Sequence, residues 1–437
     1  MNVHFPIPPS ESRLPARVCS RDRRNHAAAR VGLLLTLLFA GLTPALGASK
    51  YWLSPGPGQP GGSGTEADPW ITPTAAEFDA RLRQLPPDAI IQLGAGAFET
   101  HGWGSPGQPG FLVKTGWTLQ GAGMDKTTVR LVGCVADQQA GSGIGRMFFS
   151  GWGPGVERVV MRDFTADCNH TGVARAMQRT AISLEAINLM GREFRIERVR
   201  AINALGRRGA AGVNPESFII AVAPRDDTTD ATGYWVEDCV VDRFGGGDCT
   251  AIGLLGKGGK AGATGAFRRN QILLDGKPGR FGFSAHGTRE FVIENNRTRG
   301  TSRAFNWDTP APGRNLLIRS NEFLQCTGWA LNLCSGGDSI IENNLIELSA
   351  PEAIGVHISG ANSVFGGARP WIVRSNQFRA RGSGTIVARF YEGKAVPGCV
   401  FEGNRLQGRL KVDPSAAGFT VWRNNRDAGN RMVRADR

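Results

Sequence analysis

No stretch of this 437-residue sequence is apolar for long enough to hold it in a bilayer as a helix. The longest such run, residues 31–42, is well short of the roughly 20 residues a spanning helix needs. It follows Arg13, Arg17, Arg21, Arg23, Arg24 and Arg30 and precedes the small residues Ala45-Leu46-Gly47, so residues 1–48 read as a cleaved signal peptide. The basic region before the run is long enough to suit a start downstream of Met1. Arg23-Arg24 lacks the apolar residue of a twin-arginine signal, and no Cys follows the run to carry a lipid. A secreted or periplasmic protein with no stable membrane insertion is expected. Chemistry is narrowed in the same way, because zinc-ligand spacing, a serine-hydrolase elbow, a phosphate loop and a dinucleotide fingerprint are all missing. Acidic residues nowhere cluster densely enough to cage calcium, so no metal or other cofactor is predicted.

What is present is a repeat. The pattern apolar-x-x-Asn-x-apolar of Ile341-Glu342-Asn343-Asn344-Leu345-Ile346 recurs at Phe267/Asn270/Ile272, Ile318/Asn321/Phe323, Val373/Asn376/Phe378 and Phe401/Asn404/Leu406. Ile293/Asn296/Thr298 is a near match and Trp422/Asn425 a frayed one. Successive asparagines lie 26, 25, 23, 32, 28 and 21 residues apart, which fits one solenoid coil per repeat with loops of unequal length. Asn suits such a corner because it tolerates left-handed backbone and bonds to its own kind in the next coil. A solenoid grows around one continuous core, so a single long domain is expected despite the length. Gly 60 and Pro 24 punctuate short apolar strands without forming a low-complexity tract.

Without residues 1–48 the chain keeps 45 basic and 36 acidic residues, a net +9. An exported basic protein has no obvious nucleic acid to meet, and its natural partners are acidic polysaccharide, anionic envelope glycan or lipopolysaccharide; the alternative is a charge spread over solvated corners. Seven cysteines remain, Cys134, Cys168, Cys239, Cys249, Cys326, Cys334 and Cys399. Cys239 sits where the repeat expects Asn, which favours stacked buried thiols over a disulfide framework. Cys239 with Cys249 and Cys326 with Cys334 are the pairs to check. Phe78, Leu82 and Leu85 share one face of a short helix ended by Pro86-Pro87, placed to cover the open end of the first coil.

Three passages resemble the right-handed parallel β-helix proteins of the pectate-lyase-like superfamily. They are the opening Tyr51-Trp52-Leu53-Ser54-Pro55 with its Gly-rich loop and helix, the phrase running from Leu119-Gln120-Gly121 to Thr127-Thr128-Val129, and the asparagine ladder. The resemblance implies an all-β, single-stranded right-handed parallel β-helix of about 10–12 coils with an N-terminal capping helix. The expected layout is a lead-in over 49–86, the β-helix over 87–427 and a tail over 428–437. It implies little about chemistry, since the superfamily holds lyases, hydrolases, epimerases, esterases, tailspikes and adhesins.

Period-two alternation separates core from surface in the strand before each loop. Phe281, Phe283, Phe305, Trp307, Leu331, Leu333, Val356, Ile358, Ala388 and Phe390 face inward on this reading. Ser284 and His286, Asn306 and Asp308, Asn332 and Cys334, His357 and Ser359, and Arg389 and Tyr391 point out. Coils stacked about 4.8 Å apart make these lateral neighbours on one strip. There Asp308 is a candidate acid or base or a group that helps hold a cation, His286 and His357 are candidates for proton transfer, Arg389 for pairing with a sugar carboxylate and Tyr391 for stacking or proton transfer. Ser284, Asn306 and Asn332 are candidates for binding sugar hydroxyls.

Gly247-Asp248-Cys249-Thr250-Ala251-Ile252 and Ala285-His286-Gly287 are similar to parts of the polygalacturonase signature. Only one acid stands where that family places two, and a hydrolase needs a carboxyl pair. The leading expectation is a lyase acting on uronate-containing polysaccharide as a monomer. A non-catalytic glycan-binding or adhesion β-helix is the alternative, and a polygalacturonase-type hydrolase comes second to it.

Overall fold

The computed structural model describes residues 48–136, 142–178, 181–204, 217–225, 232–245, 249–255, 262–274, 280–285, 287–307, 314–333, 338–358, 370–381, 384–390 and 396–435. The chain coils repeatedly, each turn laying its strands parallel on those of the turn before. One column runs from Gln92 through Gln120, Arg162, Glu197, Glu237, Arg268, Glu294, Arg319, Glu342, Arg374 and Glu402 to Arg423, each residue paired in register with the next. Twelve rungs are stacked in this column, and Lys50–Ser54 adds one more above Ile90–Leu93.

Each regular coil contributes three strands. In one coil these are Ser339–Glu342, Leu345–Leu348 and Ile354–Ile358; in the next, Trp371–Arg374, Gln377–Ala380 and Ile386–Phe390. Their inward residues, among them Ile341, Ile346, Val356, Val373, Phe378 and Ala388, belong to one continuous apolar core running the length of the stack. Burying each large aliphatic or aromatic side chain stabilises the coil by about 1.5–3 kcal/mol. Since every coil buries its residues only against its neighbours, the core is assembled rung by rung.

The asparagine ladder closes the corner between the first two strands. Asn344 Oδ1 accepts from the backbone N–H and the Nδ2 of Asn321, both at 2.9 Å. Its own Nδ2 donates to Ile318 O and Asn376 Oδ1, also at 2.9 Å. The same pattern links Asn270, Asn296, Asn321, Asn376, Asn404 and Asn425. The left-handed backbone, however, falls one residue earlier than the sequence suggests. Arg269, Asn295, Ser320, Asn343, Ser375 and Asn424 have φ between 53° and 56°, whereas no ladder Asn has positive φ. The ladder position therefore selects Asn for its buried amide, and its predecessor takes the backbone strain. Cys239 ends the ladder, its N–H donating to Asn270 Oδ1 at 2.9 Å.

At the N-terminal end, helix α1 (Ala75–Gln84) begins at Thr74, whose hydroxyl accepts from the Glu77 N–H and donates to the Glu77 carboxylate. Phe78 and Leu82 are fully buried, and the Phe78 ring lies 5.2 Å from Phe98 of the coil beneath. Asp79 of α1 is fully buried too, accepting from Thr100 Oγ1 at 2.5 Å and from the N–H and Nδ1 of His101, each at 2.9 Å. These bonds clamp the helix to the coil. A second helix, His170–Met177, has no counterpart in the sequence reading.

Cys239 and Cys326 are buried thiols, so neither of the suggested cysteine pairs forms a disulfide. Burial pushes both thiols up to about 12, and Cys399 up to about 11. Cys334 lies outside the described residues.

Candidate functional site

The third strand of each coil carries the candidate strip. Ser284 pairs with Asn306, Asn306 with Asn332, Asn332 with His357 and His357 with Arg389, so the five form one unbroken cross-coil column. His286, Asp308, Cys334, Ser359 and Tyr391, expected two residues further along, lie outside the described residues, as do Gly247 and Asp248.

The column is not the open, solvated face that alternation implies. Ser284, Asn306, Asn332 and His357 are at most 3% exposed, and only Arg389 is half-buried. A bend in the strand supplies part of the cover. Pairing runs from Trp329–Ile354 to Leu331–Val356 and passes over Ala330 and Gly355. A Cβ on Gly355 would lie 2.6 Å from Val387 O and 2.9 Å from the Phe378 ring, so the bend needs a very small residue there. Beyond the bend, Trp329 turns back over the column and stacks on His357, ring centroids 4.0 Å apart and 21° from parallel. The Arg303 guanidinium lies 4.7 Å from the Trp329 ring and 4.8 Å from that of Phe281.

A directed chain of hydrogen bonds runs through the column. Arg303 Nη1 donates to Asn306 Oδ1 at 2.8 Å, and Asn332 Nδ2 donates to the same oxygen at 2.9 Å. Arginine cannot accept, so Asn306 must present its oxygen there. Asn332 must then present its amide to Asn306 and its oxygen to His357. The 3.0 Å contact between His357 Nδ1 and Asn332 Oδ1 is accordingly an N–H donation from the imidazole. In the neutral ring, Nε2 is left as the basic nitrogen. Burial, with the positive charges of Arg389 and Arg303 adding to it, lowers the His357 pKa to about 4. The ring is neutral at pH 7, with its tautomer set three residues away by a guanidinium.

Arg389 completes the arrangement. Most described arginines on the neighbouring face are paired: Arg268 and Arg319 hold Glu294 at 2.7 and 2.6 Å, Arg374 holds Glu342 at 2.7 Å, and Arg423 holds Glu402 at 2.7 Å. Arg389 has no ion pair or side-chain hydrogen bond among the described residues. It is a half-buried cation placed beside a neutral base. No group of three or more His, Cys, Asp or Glu suited to a metal occurs among the described residues.

A different cluster, with no counterpart in the sequence reading, stands on the same face near its N-terminal end. Arg146 Nε bonds Glu185 Oε2 at 2.6 Å, Asn188 Nδ2 bonds the same oxygen at 2.8 Å, and the Arg146 guanidinium lies about 5 Å from the rings of Trp103, Phe149 and Trp152. These residues come from segments without the asparagine repeat, which is why motif spacing did not bring them together.

No family model and no curated protein sequence matches this chain. Solved structures do. The tailspike protein of E. coli bacteriophage HK620, in complex with pentasaccharide, matches at 10% identity with a TM-score of 0.53, over 84% of this chain and 65% of its own. PfbA, a surface adhesin of Streptococcus pneumoniae, matches at 14% identity with a TM-score of 0.50, over 81% and 85%. The A-module of a mannuronan C-5 epimerase from Azotobacter vinelandii matches at 13% identity with a TM-score of 0.39, over 78% and 93%. At these identities the likeness to the tailspike and the adhesin shows the fold alone. The chain is an all-β, right-handed parallel β-helix.

Proposed function

We propose that this chain is an exported, carbohydrate-active β-helix protein whose third-strand face takes an acidic polysaccharide, and that it cleaves a uronate-containing polymer by β-elimination. One observation carries the reading. A half-buried arginine with no carboxylate partner among the described residues sits in register beside a neutral histidine whose basic nitrogen is set by a fixed hydrogen-bond chain. Elimination from a uronate needs these parts: a cation to neutralise the carboxylate and so acidify the adjacent C–H, and a base to take that proton. Arg389 is suited to the first role, with its planar pair of donors matching a carboxylate. Nε2 of His357 is suited to the second. The electron pair left on carbon forms the double bond as the C–O bond to the leaving sugar breaks, and the departing oxygen takes a proton. Tyr391, Asp308 and His286 are the sequence candidates for supplying it.

The polysaccharide-active and glycan-bound proteins among the fold neighbours support a glycan ligand without selecting a reaction. A second reading is favoured by the burial of His357 beneath Trp329, which restricts access to the base. On that reading the protein binds the acidic glycan without turning it over.

Residues 49–437, purified as the mature form, are to be incubated with pectate, alginate and glycosaminoglycans. Ultraviolet absorbance of unsaturated products and new reducing ends are followed together. Unsaturated product abolished by Arg389→Ala and His357→Ala supports the lyase, and saturable binding without product supports the second reading. Reducing ends without unsaturation indicate hydrolysis, and neither binding nor product on any acidic polymer overturns the proposal.

A further inference from the structure

The cluster at the N-terminal end of the third-strand face has a physical peculiarity that core packing does not explain. Trp152 is 64% exposed and Leu112 is 44% exposed, two of the four large apolar side chains left open among the described residues. Leu112 lies beside the backbone just before Trp152, since a Cβ on Gly151 would sit 3.3 Å from Leu112 Cδ1. Trp152 is also held rather than loose. Its ring meets Phe149 edge-on at 5.2 Å, and the Arg146 guanidinium lies 5.0 Å from it. Arg146 is in turn fixed by Glu185, which offsets its charge. The result is a rigid, uncharged aromatic platform with one side open to solvent.

Its position gives it a partner. Phe149 pairs with Asn188, Asn188 with Ala221, Ala221 with Gly253 and Gly253 with Ser284, so the platform stands at the head of the same column that ends at His357 and Arg389. Phe149 is seven rungs from His357, about 34 Å at the usual coil spacing of ~4.8 Å. An extended hexopyranose chain advances by about one such spacing per sugar. Bound along the solenoid axis, it would place one sugar near Arg389 and another, on the order of seven residues away, over Trp152.

We infer that Trp152, with Leu112, forms a distal stacking subsite for the C–H face of a sugar ring in the same polysaccharide strand. The inference deepens the proposed function and rests on the ligand lying along this face. Because the Arg146 charge is already offset, the subsite recognises the ring and not a carboxylate, and it acts only on chains long enough to reach it.

The test is binding of a length-graded panel of acidic and neutral oligosaccharides to wild type, Trp152→Ala, Trp152→Phe and Arg389→Ala. Trp152 is exposed, so its replacement leaves the fold intact, which circular dichroism and thermal unfolding check. Trp152→Ala is expected to weaken binding about five- to tenfold for chains of roughly eight or more sugars, and by less than twofold for tetramers. Trp152→Phe should recover part of the loss. Equal binding of the long chains by wild type and Trp152→Ala overturns the inference, as does an equal loss at every length. If Arg389→Ala alone weakens acidic chains, the proposed function stands and the distal subsite falls. If only neutral chains bind, and Trp152→Ala weakens them, the subsite stands and the acidic ligand falls. Binding of no glycan by wild type overturns both.

Discussion

The adjacent asparagines of Ile341-Glu342-Asn343-Asn344 offer a sharp test of how the corner is held. Asn344 is buried, and its side chain makes four hydrogen bonds, with Asn321 N, Asn321 Nδ2, Ile318 O and Asn376 Oδ1. Asn344→Ala removes all four and leaves buried donors and acceptors on two neighbouring coils. At about 1 kcal/mol for each bond, with a further penalty for the stranded groups, the loss is about 4–6 kcal/mol. Asn343 is exposed and has φ 56°. Its replacement by Ala costs about 1–2 kcal/mol through left-handed backbone strain alone, and Asn343→Gly should cost nothing or stabilise slightly. Equilibrium unfolding in guanidinium, followed by tryptophan fluorescence at constant m-value, measures all three. If Asn344→Ala comes within 1 kcal/mol of Asn343→Ala, the ladder amide is not what holds the corner, and the division of labour between the two positions is wrong.

Titration of His357 followed by NMR should show a pKa near 4, with Nε2 as the unprotonated nitrogen at pH 7. Because this folded value lies below that of an unfolded histidine, the associated stability is intact above pH 6.5. It is lost as the pH falls towards 4, by on the order of 3 kcal/mol, and His357→Gln should flatten that slope. Asn332→Asp places a carboxylate against Nδ1 and should raise the His357 pKa by a unit or more, read in the same titration. Arg389→Ala should weaken binding of a uronate polymer at least tenfold with less than 1 kcal/mol change in stability, because it breaks no ion pair among the described residues. Cys239 and Cys326 should resist a thiol reagent at pH 8 in the folded protein and react fully once it unfolds.

Much of this architecture is legible in the sequence because one residue type fixes the register. Once the ladder asparagines are aligned, counting forward to the third strand puts Asn306, Asn332, His357 and Arg389 in line. Alternation then fails at a definable place. It groups Trp329 with the inward Leu331 and Leu333, but the bend at Ala330 reverses the parity, and Trp329 covers His357 instead of entering the core. The small residues Gly282, Ala304, Ala330 and Gly355, each just after the strand start, were the available signal. A second signal lay inside the motif. The residue after its first apolar position alternates in charge as Arg268, Glu294, Arg319, Glu342, Arg374, Glu402 and Arg423, and in register this gives a row of cross-coil ion pairs, Arg268 and Arg319 with Glu294, Arg374 with Glu342 and Arg423 with Glu402. The Arg146–Glu185 cluster gave no comparable signal, because its residues stand in coils without the asparagine and meet only through folding.

That row of ion pairs bears on where a ligand can bind. On the first-strand face each carboxylate in the run is held by arginine from a neighbouring coil, so a polyanion arriving there would have to displace partners already in place. On the third-strand face the positive groups serve otherwise. Arg146 is offset by Glu185, Arg303 orients the asparagine chain, and Arg389 is left with no carboxylate among the described residues. A uronate beside Arg389 would neutralise the charge that helps hold His357 at its lowered pKa, and so raise the basicity of Nε2 as the substrate arrives. A base that is weak in the free protein and stronger in the complex suits proton abstraction from a carbon made acidic by the same arginine. The separation of these charges between two faces of one solenoid is therefore the physical ground for assigning the proposed elimination to Arg389 and His357, and not to the more conspicuous charged row.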